Sequence, residues 1–310
     1  MAELHVHESG APGSPAVVFI HGAGVSGRMW RDHMSRLTSL HCIAPDLPGH
    51  GKSNRQPWVS LEATARYVAD LIEARVPARR AHVVGLSVGG AVAHTLLATR
   101  PELLGRVVID GAGALPWRGR LPFLGGIALM TPFLHTRLVI GMMSRSVGRI
   151  PEADRAEIKL ASRRAFYNSY RDALSLRLTR AEMSAKCHAL LVAGERETAV
   201  RHSNAALAAL MPHAEARYFP GAGHGWLGVN LELHVAMVEA WLEANELPDG
   251  LAHETTAWSK AEVEQVLAAS DRQRQRVEAA ATAASRASPV TPRTAEIPMR
   301  SSISTIGAPM

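Results

Sequence analysis

A serine at residue 87 lies in a pattern that is typical of nucleophilic hydroxyls. The pentapeptide GLSVG at 85–89 fits G-x-S-x-G, follows an apolar run rich in valine and precedes an apolar helical segment. A sharp turn between a strand and a helix lifts a serine hydroxyl out of the backbone, and the flanking glycines avoid side-chain clashes at that turn. The pattern therefore predicts Ser87 as a nucleophile.

A serine hydroxyl needs a base that takes its proton and a third group that orients the base. His224 stands apart from the other histidines because it lies in GAGHG, a glycine-flanked loop after the last predicted strand. Three carboxylates are candidates for the third group. Glu195 and Glu197 lie in the GERE that ends one predicted strand, and Asp110 ends an earlier strand. We expect one of them to contact the ring nitrogen of His224 that faces away from Ser87.

The elements that must position these side chains form an alternating pattern. Short apolar runs alternate with amphipathic segments along residues 1–245, which favours an α/β domain with a mostly parallel sheet. The predicted strands are 15–22, 40–46, 81–87, 106–112, 188–195 and one within 216–225, and the predicted helices are 60–75, 88–101 and 230–245. Open α/β sheets bind ligands at the carboxyl ends of their strands, so we expect the polar residues there to share one edge.

Residues 114–184, here called the cap segment, interrupt the alternation. They open with ALPWRGRLPFLGG and continue as helical, arginine-rich sequence with 12 basic and 5 acidic residues, a net charge of 12 − 5 = +7. The whole chain carries +6, so the rest of the protein is close to neutral. This charge favours contact with an anionic membrane surface or an acidic substrate, with a solvated helical face as the alternative. No nucleic-acid-binding motif accompanies it, and we expect no nucleic-acid partner.

Residues 247–310, here called the C-terminal extension, differ in composition from the rest. Ser259 and Glu262 form a capping-box pattern for a helix over 259–287, but this helix has few large apolar residues, and a Ser/Thr/Pro-rich end follows. We expect a loosely held helix and a disordered tip from about residue 288. A docking segment for a protein partner is one role for this extension.

The compartment and the cofactor class are predicted from patterns that the sequence lacks. The first ten residues show no secretory signal, and the uncharged apolar stretch 121–136 is too short to span a membrane, so we expect a cytoplasmic protein, with contact at a membrane surface as the alternative. No H-E-x-x-H or Cys/His cluster is present, and GLSVGG lacks the G-x-G-x-x-G spacing. We therefore expect chemistry without a metal or a cofactor.

Five motifs in this order and spacing resemble those of the α/β-hydrolase superfamily, specifically its capped serine-nucleophile subgroup. They are HGAG at 21–24, DLPGHGKS at 46–53, GLSVGG at 85–90, GERE at 194–197 and GAGHG at 221–225. The resemblance covers about residues 15–245. It implies a mostly parallel central sheet flanked by helices, with core segments 1–113 and 185–246, a helical cap inserted at 114–184, and the extension 247–310 outside the family pattern.

The resemblance also implies roles for individual residues. It favours Glu197 as the acid, because the family places that residue three positions after the glycine, and it leaves Asp110 as the alternative. The backbone N–H groups of Ala23 and Val88 would form the oxyanion hole, and His21 would orient the loop that carries Ala23. The expected substrate contacts are Gly22, Gly24, Trp117, Phe133 and Trp226.

The activity that the resemblance implies is hydrolysis of an ester or related acyl bond of a small, lipophilic substrate through an acyl-enzyme. The same triad serves carbon–carbon bond hydrolysis and other cofactor-free reactions in the family, so these stay open. Epoxide hydrolases and haloalkane dehalogenases are disfavoured because they carry an aspartate where Ser87 stands. A different class also stays open: a catalytically weak ligand-binding or signalling protein that keeps the hydrolase fold. The sequence does not predict an oligomeric state.

Overall fold

The computed structural model describes residues 3–115, 117, 119–146, 152–179, 182, 187–255, 258, 261–268 and 271–272. The chain divides into two compact units, Met1–Ser270 and Asp271–Met310. Every strand and helix with named bounds lies in the first unit. The disordered tip expected from residue 288 lies outside the described residues.

A mostly parallel sheet of eight strands forms the centre of the first unit, in the order β1-β3-β2-β4-β5-β6-β7-β8. The strands are β1 Val6–Ser9, β2 Ala16–Ile20, β3 His41–Pro45, β4 Ala81–Leu86, β5 Leu104–Asp110, β6 Ala189–Gly194, β7 Ala214–Phe219 and β8 Ala252–His253. Strands β2 to β7 are parallel, and β1 and β8 pair antiparallel at the two edges. The fold class predicted from the sequence is confirmed.

The central strands are buried on both faces, which explains why their sequences are continuous apolar runs. Side chains of β2 alternate between two core clusters: Val18 and Ile20 pack in one, and Val17 and Phe19 pack in the other. The helices are α1 Arg31–Met34, α2 Leu61–Arg75, α3 Val88–Thr99, α4 Arg120–Met130, α5 Arg137–Ser146, α6 Glu152–Ile158, α7 Arg163–Ala173, α8 Thr198–Leu210, α9 Trp226–Val229 and α10 Leu231–Glu243. The first cluster contains residues of α2, α3 and α8, and the second contains residues of α1, α9 and α10.

The start of α2 is set by a side-chain hydrogen bond at its N-terminus. The hydroxyl of Ser60 accepts a hydrogen bond from the backbone N–H of Ala63 at 3.1 Å. Among the described residues between β5 and β6, where the cap segment was expected, there are four helices, α4 to α7. The described residues contain no helix with the length and apolar character that crossing a bilayer requires.

Two parts of the C-terminal extension pack on the domain; of the loosely held helix that was expected over 259–287, the structure describes residues 261–268 and 271–272, and the rest lies outside the described residues. Residues 252–253 add β8 to the edge of β7, and Glu254 next to it forms an ion pair with Arg201 at 2.6 Å. Residues 261–268 are helical, and Val263 and Leu267 of this helix are buried in the first core cluster. These two residues are four positions apart and therefore share one face of the helix. This face of the helix therefore packs against the domain.

This packing makes the effect of truncation depend on where the chain is cut. A chain that ends at Glu246 loses β8 and two buried aliphatic side chains, so its free energy of unfolding is expected to fall by roughly 3–6 kcal/mol. A chain that ends at Arg272 keeps all of these contacts and is expected to unfold at the same urea concentration as the full chain. Urea unfolding followed by circular dichroism measures both. Equal midpoints for the two truncated chains would contradict the docking of the 261–268 helix.

Candidate active site

Ser87 lies at the junction of β4 and α3 in a strained backbone conformation. Its φ is 56° and its ψ is −117°, a region that residues other than glycine rarely occupy. Close packing on both sides holds the turn in place. A Cβ atom at Gly89 would lie 2.1 Å from the carbonyl oxygen of Ile20, and one at Gly85 would lie 2.4 Å from that of Gly89. Only glycine fits at these two positions, and the close backbone contacts there hold the strand-to-helix turn in its conformation.

His224 and Glu197 form a short hydrogen bond. Nδ1 of His224 lies 2.6 Å from Oε1 of Glu197. The second carboxylate oxygen of Glu197 accepts a hydrogen bond from the backbone N–H of Gly194 at 2.8 Å, so each oxygen of this carboxylate is held by one hydrogen bond. Burial lowers the pKa of His224, but the neighbouring Glu197 carboxylate more than offsets this and raises that pKa above its usual value. The pair is arranged to stabilise a positively charged imidazole.

The tip of β5 connects this pair to Ser87. The backbone N–H of Ser87 donates to the carbonyl of Asp110 at 2.8 Å. The next residue, Gly111, has a φ of +63° and lies under the His224 ring, because a Cβ atom there would be 2.6 Å from Cε1 of that ring. Ser87 and His224 therefore lie at the same end of the sheet, where they contact two adjacent residues, Asp110 and Gly111, at the end of β5.

Of the three carboxylates that the sequence offered, Glu197 is the one hydrogen-bonded to His224. Glu195 accepts the backbone N–H of Gly221 at 2.6 Å, and thus ties down the start of the loop that carries the histidine. Asp110 is fully buried and accepts Nε1 of Trp226 at 3.1 Å. The structure gives each carboxylate a different partner.

Asp110 belongs to a buried polar cluster that sequence reasoning missed. Its Oδ2 lies 3.5 Å from Nε2 of His234, and Nδ1 of His234 lies 3.0 Å from Nε2 of His33. Burial raises the pKa of Asp110 to about 8, and the charge of Glu197 adds to this rise. Burial also lowers the pKa of His234 to about 3 and that of His33 well below its usual value. The only local signal for His234 is its place on the buried face of α10, which it shares with Trp241.

His21 fixes the orientation of the loop that follows β2. The backbone N–H of Leu47 donates to Nε2 of His21 at 2.9 Å, so Nδ1 carries the proton and donates to the carbonyl of Gly22 at 2.7 Å. In a trans peptide the carbonyl and the following N–H point in opposite directions, so the N–H of Ala23 is directed away from His21. Val88 is the first residue of α3, and its N–H has no acceptor within the helix.

Two of the expected substrate contacts, Gly22 and Gly24, lie where the loop meets other parts of the site. A Cβ atom at Gly22 would be 3.4 Å from Cβ of Ser87. Gly24 has a φ of +78°, and a Cβ atom there would lie 2.7 Å from Cε of Met143 and 2.9 Å from Cε2 of Phe166. Apolar side chains of the cap segment thus approach the loop after β2 at Gly24, two residues beyond the glycine that lies near Ser87.

The three aromatic residues that were expected to contact substrate lie in different environments. Trp117 and Phe133 are exposed on the cap segment. Trp226, in contrast, is buried in the second core cluster, where its indole stacks on Phe219 with ring centroids 5.1 Å apart. This corrects the expectation for Trp226: α9 begins at this residue and turns the indole into the core, where it holds Asp110.

One group of possible metal ligands comes together that the sequence analysis did not recognise. Ligand atoms of His5, His7 and Asp46 lie within 4.8 Å of one another. The carboxylate of Asp46, however, already accepts the backbone N–H groups of Gly27 and Lys52, each at 2.8 Å, and Nε2 of His7 at 3.1 Å. These contacts join the loops after β2 and β3, so the group has a structural explanation that requires no ion.

Comparisons with known proteins agree with this architecture. A model of the alpha/beta hydrolase family matches residues 17–241, more than half of the chain. An AB hydrolase superfamily protein of Gibberella zeae is 26% identical over 254 residues, which cover 79% of this chain and 86% of that protein. Lipase LipV of Mycobacterium tuberculosis is 38% identical over 117 residues, 36% of this chain and 43% of the lipase. The solved structure of a thermophilic esterase from Thermogutta terrifontis superposes with a TM-score of 0.61 at 20% identity, covering 78% of this chain and 93% of that one.

Proposed function

This chain belongs to the α/β-hydrolase family, and we propose that it is a serine hydrolase that cleaves an ester or related acyl bond of a small, lipophilic substrate. The observation that carries the proposal is the 2.6 Å contact between His224 and Glu197 at the strand tip that also holds Ser87. A nucleophile, a base and an orienting acid in this arrangement are the parts that acyl transfer requires.

Acylation begins with attack of the Ser87 hydroxyl on the substrate carbonyl. Because Nδ1–H of His224 donates a hydrogen bond to Glu197, Nε2 is the basic nitrogen that takes the serine proton. The backbone N–H groups of Ala23 and Val88 stabilise the negative charge that develops on the carbonyl oxygen. The imidazolium then gives the proton to the leaving alkoxide, the alcohol departs, and the acyl group stays on Ser87.

Deacylation repeats these steps with water as the nucleophile. His224 takes a proton from water as the hydroxide adds to the acyl carbonyl, and it returns that proton to Oγ of Ser87 when the ester bond breaks. The carboxylic acid leaves and the serine is restored. The Glu197 carboxylate stabilises the positively charged histidine in both halves of the reaction.

The lipophilic character of the substrate is supported by the side chains that approach the loop at Gly24. Met143 of α5 and Phe166 of α7 both contact this backbone, and neither presents a charge. An acyl chain that extends from the serine toward Gly24 would meet these side chains. We therefore assign Met143 a role in limiting the length of the acyl chain.

The rates of p-nitrophenyl ester hydrolysis across acyl chain lengths test the proposal. Replacing Met143 by alanine removes the side-chain atom that approaches Gly24, so the chain length with the highest kcat/KM is expected to increase by about two to four methylenes, with a gain of about tenfold for the longer esters. Met142→Ala is the matched control, because this neighbouring methionine is exposed.

An unchanged optimum in Met143→Ala, or the same shift in both variants, would remove this residue from the acyl site. Failure of the folded wild-type protein to hydrolyse any ester of the series would overturn the ester-hydrolase proposal. The carbon–carbon and ligand-binding alternatives would then take its place.

A further inference from the structure

Exposed apolar side chains are concentrated in one part of the cap segment, which is here called the cap face. It comprises seven of the ten large hydrophobic side chains that are exposed among the described residues: Trp117, Leu121, Phe123, Leu129, Phe133, Leu138 and Met142. Isolated exposed apolar residues are normal on soluble proteins, but contiguous segments rich in them mark interaction sites. These seven lie within 26 consecutive positions, 117 to 142.

Helix α4 is the part of the cap face with the most apolar sequence and the least burial. Its 11 residues, RLPFLGGIALM, contain a single charge, and only Ile127 is buried. Beyond the neighbouring residues and the backbone of the helix itself, no atom lies within 4 Å of the positions that a Cβ atom would take at Gly125 and Gly126. Helices that are apolar on all sides are normally buried in a protein core or in a membrane. The exposure of α4 is therefore unfavourable unless something covers it.

The charge around this face identifies what would cover it. From Gly111 to Pro151 the sequence contains no aspartate or glutamate, although the whole chain has 28. The same stretch contains five arginines: Arg118, Arg120, Arg137, Arg145 and Arg149. Of these, Arg137 is exposed and Arg120 is half-buried at the ends of the helices that carry the apolar residues. An apolar stretch of chain whose Asp, Glu, Lys and Arg residues are all arginines complements an anionic and apolar partner.

We infer that the cap face binds the surface of an anionic lipid bilayer. Leucine and phenylalanine side chains enter the boundary between headgroups and acyl chains, and arginines contact the phosphates. Helix α4, with 11 residues, is too short to span a bilayer and lies along its surface. A second copy of this chain fits less well, because a two-fold contact would bring two acid-free, arginine-bearing segments together. Binding to a bilayer in this way requires no catalytic step.

Co-sedimentation of the full-length protein with vesicles tests this inference. Vesicles of phosphatidylglycerol mixed with phosphatidylcholine are expected to bind the protein, and vesicles of phosphatidylcholine alone are expected to bind it at least tenfold more weakly. Raising the salt concentration to 1 M should reduce the binding, because the Debye length falls to about 3 Å. Replacing Leu121 and Leu129 together by serine is expected to weaken binding by about tenfold for each side chain.

The chain offers a closely matched control for the apolar contribution. Leu121 and Leu129 are 68% and 77% exposed, and Val59 and Val229, outside the cap segment, are 65% and 76% exposed. Val59→Ser with Val229→Ser is therefore expected to bind as the wild type does. For the charges, Arg120→Gln with Arg137→Gln should weaken binding by about fivefold per arginine. Replacing the exposed Arg55 and Arg66 in the same way should have a much smaller effect.

Three results would overturn the inference. The first is wild-type protein that stays in the supernatant with anionic vesicles, and the second is equal binding to neutral and anionic vesicles. The third is equal loss of binding in the cap and control variants. Suppose that the wild type does not bind anionic vesicles and instead forms a concentration-dependent dimer, and that the double variant Leu121→Ser with Leu129→Ser is monomeric. The occupant of the cap face is then a second copy of the chain.

Discussion

Replacing Ser87 by alanine is expected to lower kcat/KM for p-nitrophenyl esters by about 10⁴–10⁶-fold, the range found when the nucleophile of a triad is removed. The substitution deletes one oxygen atom, and alanine carries the same Cβ atom that already fits the strained turn at φ 56°. The fold and the temperature of unfolding should therefore stay close to those of the wild type. The loss would then reflect the chemistry.

A stoichiometric burst of p-nitrophenol gives a second, independent measurement. The wild type should release about one equivalent per active site before steady turnover if an acyl-enzyme accumulates, and Ser87→Ala should release none. Ser35→Ala, a change at an exposed serine outside the site, serves as the control and should keep both the burst and the turnover. Full turnover in Ser87→Ala would assign the activity to another residue and refute the proposed nucleophile.

Replacing Glu197 by glutamine is expected to lower kcat by about 10³–10⁴-fold, because a neutral amide stabilises the charged histidine poorly and can favour the wrong tautomer. Glutamine retains an oxygen for the N–H of Gly194, so the loop should keep its conformation. Glu197→Asp retains the charge on a shorter side chain and should recover part of the activity. Steady-state kinetics on one ester compares the three proteins.

The matched change at the second carboxylate, Asp110→Asn, is expected to alter kcat at pH 7 by only about threefold or less. Asp110 does not carry the hydrogen bond to His224, and asparagine retains the oxygen that accepts Trp226. With its pKa raised to about 8, Asp110 is also largely uncharged at pH 7, so the substitution removes little charge. A larger loss in Asp110→Asn than in Glu197→Gln would reverse the assignment of the acid.

Stability measured against pH reports on the same buried group. The unfolded chain releases the Asp110 proton near its ordinary pKa of 3.8, whereas the folded protein keeps it up to about pH 8. Folding therefore retains a proton between these values, and this group makes the folded state progressively less stable as the pH rises from about 4 to 8. In Asp110→Asn that contribution is absent, so the variant should gain stability relative to wild type between pH 5 and 8. Urea midpoints at these two pH values measure the difference, and a parallel pH dependence in both proteins would contradict it.

The sequence by itself determined the features that depend on neighbours along the chain. Apolar runs of five to seven residues specify buried parallel strands because both faces of such a strand are covered, and the strands found at β2 to β6 lie within or close to the predicted ranges. The turn at Ser87 is also local, since Gly85 and Gly89 leave the space that the strand-to-helix junction needs. Capping at Ser60 follows the same rule.

Only the tertiary structure decided which groups meet. Glu195 and Glu197 follow a strand and Asp110 ends one, and the family resemblance favoured Glu197 without excluding Asp110, so the sequence did not separate the carboxylate that contacts His224 from the one that contacts Trp226. Those contacts join residues 27 and 116 positions apart, and they depend on how the strand tips are arranged in the folded sheet. The burial of Val263 and Leu267 likewise depends on a core built from distant segments. Steric limits and hydrophobic periodicity depend on residues that are close in sequence. The partner of a buried polar or apolar side chain, in contrast, is set by long-range packing.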